Sequence, residues 1–321
     1  MKHKIGLALG GGSARGLSHI GVLKVLEQYQ LRPQYIAGTS MGAVIGALYA
    51  AGYTPEQIED IAKTTEWKNI MDFTLPKSGL LEGRLVQQKL RQLLGKKTFG
   101  QLKIPLRVVA YNLSKHQKVV FQRGDVVTAL RASLSIPGIF SPLKIKHQLY
   151  VDGVIADPTP FDVVREMGAK VVIAVDLYKK QEIVEAEAQE ESFLGQMKQF
   201  LVEEELRQAK KLIIPKEWPG FLRHLLRWVF DKLLYPARVL RLISGRKMPP
   251  IMTVMNDSLT ALYNNLAVER MRHAQVEVKI TPQFRNLHWA DFDKVEEFVK
   301  IGETAMMAKI NQLKKRLTDG S

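Results

Sequence analysis

Short apolar runs alternate along this chain with stretches in which apolar residues recur every three or four positions, a pattern that predicts strands interleaved with amphipathic helices. Lys4-Ile5-Gly6-Leu7-Ala8-Leu9 reads as a buried strand. Leu17 to Gln30 reads as a helix, with Ile20, Leu23 and Leu26 spaced for one face. Tyr35-Ile36-Ala37 is a short β-prone run, and Ala43 to Ala50 is apolar throughout, as a buried helix is. Strands are predicted near residues 4–9, 34–38, 104–111, 118–122, 146–151 and 170–176, with helices between them. This alternation specifies an α/β fold with three layers, α/β/α, around a mainly parallel central sheet.

The pattern changes after Leu177 and returns near residue 251, so three segments are expected: a core over 1–178, a helical insertion over 179–250, and a C-terminal helix–strand–helix over 251–321 that completes the core. In the last segment, Met252 to Met271 reads as a helix, and Gln275 to Ile280 alternates as a strand ended by Thr281-Pro282. Asp291 is placed to cap a final helix running towards Lys315.

Charge sharpens the picture of the insertion. The chain of 321 residues has a formal net charge of +15. Glu182 to Glu205 holds eight glutamates and one lysine, whereas Arg207 to Lys247 holds eleven Lys/Arg against two acids, Glu217 and Asp231. Within the basic part, Leu222, Leu225, Leu226, Val229 and Leu233 share a helical face opposite Arg223, Arg227 and Asp231. Charges interrupt every apolar run, so nothing there spans a bilayer. Such a helix suits the headgroup layer of an anionic membrane, as a lid or an anchor, or equally docks on the sheet with a basic outer face. No nucleic-acid motif accompanies the charge, and a nucleic-acid partner is not expected. The chain has no cysteine, and the apolar run Ile5 to Leu9 is too short for a signal peptide, so a cytoplasmic protein, peripheral at the membrane, is expected.

Three loops carry chemistry. Gly10-Gly11-Gly12-Ser13-Ala14-Arg15-Gly16 follows the first strand and opens a helix, so its backbone N–H groups are exposed to an anion. The dinucleotide register Gly-x-Gly-x-x-Gly fails, because Arg15 or Ser13 falls where glycine is needed, and a Gly-Lys-Ser/Thr phosphate loop is absent. An oxyanion hole requires only amides beside a nucleophile. Gly38-Thr39-Ser40-Met41-Gly42, between a strand and a buried helix, supplies one: a serine on a tight elbow, its hydroxyl at a helix N-terminus. Asp152-Gly153, in a later loop, supplies a base. The seven histidines show no metal-ligand spacing, and no cofactor is implied. His19, just past the glycine loop, reads as a helix residue at the rim of the site.

Glycine loop, serine elbow and Asp-Gly in this order resemble the patatin-like phospholipase family, in particular its small bacterial members, over roughly residues 4–178. The resemblance implies a lipid acyl hydrolase in which Ser40 is the nucleophile and Asp152 its partner in a Ser–Asp dyad. It implies that Gly11, Gly12 and Arg15 belong to the oxyanion loop, which Gly10 and Ser13 complete, with Gly16 and Gly153 as supporting motif positions. Phospholipid or lysophospholipid is the implied substrate. Two positions depart from the family pattern: Ser13 stands where many relatives have glycine, and Val154 where alanine or glycine is usual. Two other readings remain open. One is a Ser–His–Asp esterase of α/β-hydrolase type using Ser40, Asp152 and His273 or His288; the other is a non-catalytic scaffold that binds a membrane or a partner.

Overall fold

The computed structural model describes residues 4–70, 72, 79, 81–178, 250–285 and 287–318. By its internal contacts the chain divides into two units, Met1–Gln181 with Leu262–Ser321, and Glu182–Ala261. The acidic and basic insertion, including the amphipathic stretch 221–243, lies outside the described residues, and in the second unit only the first turns of one helix are described.

Among the described residues of the first unit, eight strands form one sheet. They are β1 (Ile5–Leu9), β2 (Tyr35–Thr39), β3 (Leu106–Asn112), β4 (Gln117–Phe121), β5 (Leu143–Ile145), β6 (Gln148–Asp152), β7 (Val171–Val175) and β8 (Val278–Ile280). The order is β5-β6-β3-β2-β1-β7-β8, with β4 also paired to β3. Pairs β1–β2, β2–β3, β1–β7 and β7–β8 are parallel; β3–β4, β3–β6 and β5–β6 are antiparallel. The helices are α1 (Ser18–Gln28), α2 (Met41–Ala51), α3 (Pro55–Thr64), α4 (Arg84–Leu94), α5 (Val126–Ser133), α6 (Phe161–Glu166), α7 (Pro250–Arg272), α8 (Val295–Met307) and α9 (Ile310–Thr318).

The alternation of side chains along each strand sorts them between two faces. Ile5, Leu7 and Leu9 of β1 join Ile36, Val108, Ile173 and Val175 in the larger core, which α1, α2, α5 and α8 cover with Ile20, Leu23, Ala47, Leu130 and Phe298. The opposite face is built from small residues, Ala8, Ala37 and Ala174, against Val163 and Val164 of α6. The chain is thus a three-layer α/β/α fold on a mainly parallel sheet.

Three details differ from the sequence reading. Pairing of the last strand is confined to Val278–Ile280, because the side chain of Glu277 takes over the Val172 N–H (2.7 Å) and binds Arg165. The final helix is two helices, α8 and α9, separated at Ala308-Lys309 without a glycine or proline to signal the break. Asp291 does not cap α8, which starts at Val295; its carboxylate accepts from the His288 N–H at 3.0 Å and from Lys294 Nζ at 3.1 Å.

Candidate active site

The register of β3 brings the serine and aspartate loops together. β2 pairs in parallel with β3 as far as Thr39↔Val109, and β6 pairs antiparallel with β3 from Ala110↔Asp152 onward. Val109 and Ala110 are neighbours on one strand, so the residue that leaves β2, Ser40, meets the residue that ends β6, Asp152. Ser40 Oγ donates to Asp152 Oδ2 at 2.6 Å, and both residues are buried, at 2% and 3% exposure. The other carboxylate oxygen, Oδ1, accepts the Val154 N–H at 2.9 Å. Val154, where the family pattern has a smaller residue, leaves this amide in place.

Ser40 sits at φ 54°, ψ −127°, a positive-φ conformation that costs a non-glycine residue about 1–3 kcal/mol. Its surroundings enforce it. The Ser40 N–H donates to Ser133 Oγ at 2.8 Å, and Ser133 Oγ donates to the Val109 carbonyl at 2.6 Å. The flanking glycines let α2 close on the sheet: a Cβ on Gly42 would stand 2.3 Å from the Leu9 carbonyl oxygen, and one on Gly38 2.5 Å from Ala43 Cα. Ser133 was not singled out by sequence, since it lies 93 residues from Ser40 inside an ordinary helix. No local pattern marks it.

The glycine loop lies against the elbow, with the Cβ position of Gly11 3.2 Å from Ser40 Cβ and that of Gly16 2.5 Å from Met41 Cγ. Its amides are not equivalent. The Gly10 N–H donates to the Val175 carbonyl and the Gly11 N–H to the Pro158 carbonyl, each at 3.0 Å, while the Arg15 N–H closes a turn on the Gly12 carbonyl at 3.1 Å. These bonds fasten the loop and remove Gly10, Gly11 and Arg15 as backbone donors to a ligand, which corrects the expectation that the whole loop offers its amides. Among the described residues the Gly12 and Ser13 N–H groups make no hydrogen bond. Ser13 stands at φ 52°, a left-handed conformation that explains why glycine suits this position. The Arg15 guanidinium lies over the Phe284 ring, 5.6 Å from its centroid, and burial lowers its pKa.

His19 is fully buried rather than at the rim, with Nε2 2.7 Å from the Gly10 carbonyl oxygen. Burial depresses its pKa to about 4, so the ring is neutral and Nε2–H donates to Gly10, bracing the loop. The other two histidines considered are engaged elsewhere than with the Ser40 hydroxyl. His273 is 80% exposed just past the end of α7, beside Glu269. The His288 ring stacks at a tilt on Trp289. Neither hydrogen-bonds to Ser40 or Asp152.

Burial, opposed by the Ser40 and Val154 hydrogen bonds, raises the Asp152 carboxyl to about 7. The Asp152 charge acts on two phenols. Tyr263 is pushed up to about 12 by burial and then by the Asp152 charge, and Tyr178 is raised further by the same two causes. A hydroxyl that donates to a carboxyl titrating near neutrality can pass it a proton, and free loop amides beside that hydroxyl can stabilise an oxygen that gains charge.

The sequence profile of the family "Patatin-like phospholipase" matches residues 7–165. An uncharacterised NTE family protein of Mycobacterium tuberculosis is 37% identical over 177 residues, which are 54% of this chain and 49% of the relative. Patatin-like phospholipase domain-containing protein 6 of Homo sapiens is 35% identical over 187 residues, 56% of this chain and 14% of the relative. The chain therefore matches about half the length of its mycobacterial relative and about one-seventh of the human one. Among solved structures, VipD from Legionella pneumophila is similar with a TM-score of 0.54 at 12% identity, over 97% of this chain and 67% of that one, a likeness of fold. Through the segment that carries the serine elbow, the glycine loop and Asp152, this chain belongs to the patatin-like phospholipase family.

Proposed function

We propose that the chain is a serine acyl hydrolase that cleaves acyl esters of phospholipids or lysophospholipids. The observation that carries the reading is the buried 2.6 Å hydrogen bond from Ser40 Oγ to Asp152 Oδ2, with the carboxyl held near neutrality. Ser40 attacks the ester carbonyl carbon as Asp152 takes its proton. The carbonyl oxygen becomes an oxyanion, stabilised by the Gly12 and Ser13 amides; one such donor typically accounts for ~3 kcal/mol of transition-state stabilisation. Asp152 then returns the proton to the leaving alkoxide, and the freed lipid alcohol departs. Water adds to the acyl–Ser40 ester with Asp152 again as base, releasing the fatty acid and restoring the hydroxyl.

Membership of a family named for phospholipase activity, and the phospholipase name of the human relative, support a lipid ester as substrate. The net charge of +15 supports action at an anionic membrane surface. Among the described residues no helix is long and apolar enough to cross a membrane, which fits contact from one side. The test is labelling with an alkyl fluorophosphonate followed by peptide mapping, alongside release of fatty acid from phosphatidylcholine and lysophosphatidylcholine. Label on Ser40, with hydrolysis abolished in Ser40→Ala, is the expected result. Label on another serine, or full activity in Ser40→Ala, would sink the reading.

A further inference from the structure

The basic excess of this chain is not confined to the insertion. Between Gly83 and Val151 there are thirteen Lys/Arg and a single acid, Asp125. Several of these cations have structural partners: Arg91 pairs with Asp125, Arg107 with Glu166, Lys118 with Asp157 and Asp162, and Arg131 is buried. Lys115, Lys144 and Lys146 are exposed and make no ion pair among the described residues. They occupy two hairpins, β3–β4 and β5–β6, in which residues 113–118 and 143–151 include no acid.

The two hairpin tips are tied together. Asn112 Nδ2 donates to Gln148 Oε1 at 2.6 Å, the Leu113 N–H to the Leu149 carbonyl at 2.8 Å, and the Leu149 N–H to Ser114 Oγ at 2.9 Å. This joint surface exposes two leucines, Leu113 and Leu149, each 39% accessible. Its place is set by register. Val109 is level with Thr39 at the end of β2, and Leu113 comes four residues later along the same direction. The tips therefore project roughly 13 Å past the level of Thr39, the residue before Ser40, from the sheet edge at which the serine and glycine loops stand.

We propose that the paired β3–β4 and β5–β6 tips are a docking surface for an anionic phospholipid bilayer, with Lys115, Lys144 and Lys146 on the headgroups and Leu113 and Leu149 in the interfacial layer. The proposal rests on the acyl-hydrolase reading for its purpose, since it sets the lipid surface on the side where Ser40 would act. Charge complementarity selects an anionic partner, and the leucines select a membrane: a polyphosphate backbone satisfies lysines but gains nothing from exposed aliphatic side chains. Neutralising three interfacial lysines, each contributing ~1 kcal/mol on an anionic surface, lowers vesicle partitioning about 100-fold at low salt.

The experiment uses the full chain and sedimentation with vesicles of phosphatidylcholine alone or with added phosphatidylserine, read beside hydrolysis of a soluble short-chain ester. Lys115→Gln/Lys144→Gln/Lys146→Gln is expected to lose binding to the anionic vesicles, and Leu113→Gln/Leu149→Gln to lose binding to both compositions, with soluble-ester hydrolysis unchanged in each. Vesicle binding equal to the parent in both variants overturns the proposal. So does a parent that binds single-stranded RNA through the three lysines while its vesicle binding is indifferent to them. A parent chain without esterase activity would sink the hydrolase reading, yet the vesicle arms would still decide this one.

Discussion

At the scale of single residues, the site is governed by one carboxyl group whose burial works against its ionisation. Only the carboxylate form of Asp152 can accept the Ser40 proton, so kcat/KM for a soluble ester is expected to rise with pH through about 7 and then level. Asp152→Asn should lower kcat by ~10²–10⁴ and abolish that rise; a profile still rising near 7 in the variant would assign the titration elsewhere. The same group sets a stability difference of known sign. Its folded pKa, about 7, lies above the ordinary carboxylate value of 3.8, so the folded state binds its proton more tightly and stability falls as pH rises between those values. Melting temperatures of Asp152→Asn and the parent, compared at pH 5 and pH 8, are therefore expected to shift in favour of the variant at the higher pH. Ser40 and Asp152 were legible in the sequence because their glycine neighbours are a local backbone requirement. Ser133 was not singled out and His19 was misplaced at the rim because each acts through hydrogen bonds to backbone groups outside its own turn.

At the scale of elements, the glycine loop depends on a helix from the far end of the chain. α1 and α8 cross with backbones in contact: a Cβ on Gly302 would lie 1.9 Å from the Ser18 carbonyl oxygen, and one on Gly21 2.0 Å from that of Val299. Gly302→Ala must therefore push α8 away from α1, and a loss of about 3 kcal/mol or more in urea unfolding is expected. Gly100→Ala, where a Cβ meets nothing within 4 Å, is the control and should stay within about 0.5 kcal/mol. Equal losses in the two variants would show that the crossing does not decide the cost. Strands and the early helices were legible because apolar runs and periodicity report which faces are buried. The crossing and the α8–α9 break were not, since Gly302 sits within an unremarkable helical pattern and Ala308-Lys309 carries no breaker. Asp291 was misread for a related reason: its side chain closes the turn at His288 instead of the helix that follows.

At the scale of the whole molecule, four charged residues bind distant parts of the chain beside the site. Asp157, fully buried, meets Lys118 of β4 and Arg270 of α7, each at 3.0 Å, and both cations also meet Asp162 of α6. The Asp157 main-chain carbonyl accepts from Thr39 Oγ1 at 2.8 Å, so the network is one hydrogen bond from the residue before Ser40. Burial raises the Asp157 carboxyl to about 6, Asp162 adds to the rise, and Arg270 and Lys118 hold it back. Removing Arg270 leaves a buried carboxylate with one cation in place of two. Because the Arg270 and Lys118 side chains keep 26% and 31% exposure, the expected loss at pH 8 for Arg270→Met is about 2–3 kcal/mol, below the range for fully enclosed pairs. The loss should shrink at pH 5, where Asp157 takes up a proton in parent and variant alike and the missing cation matters less. Asp157→Asn added to Arg270→Met removes the charge that the arginine compensated, so the double variant should regain most of the stability lost at pH 8. Denaturant midpoints at the two pH values measure all of this. A loss that is the same at both, and not relieved in the double variant, would mean that Arg270 acts through packing against Phe161, over whose ring its guanidinium lies at 5.4 Å, and not through the buried carboxylate.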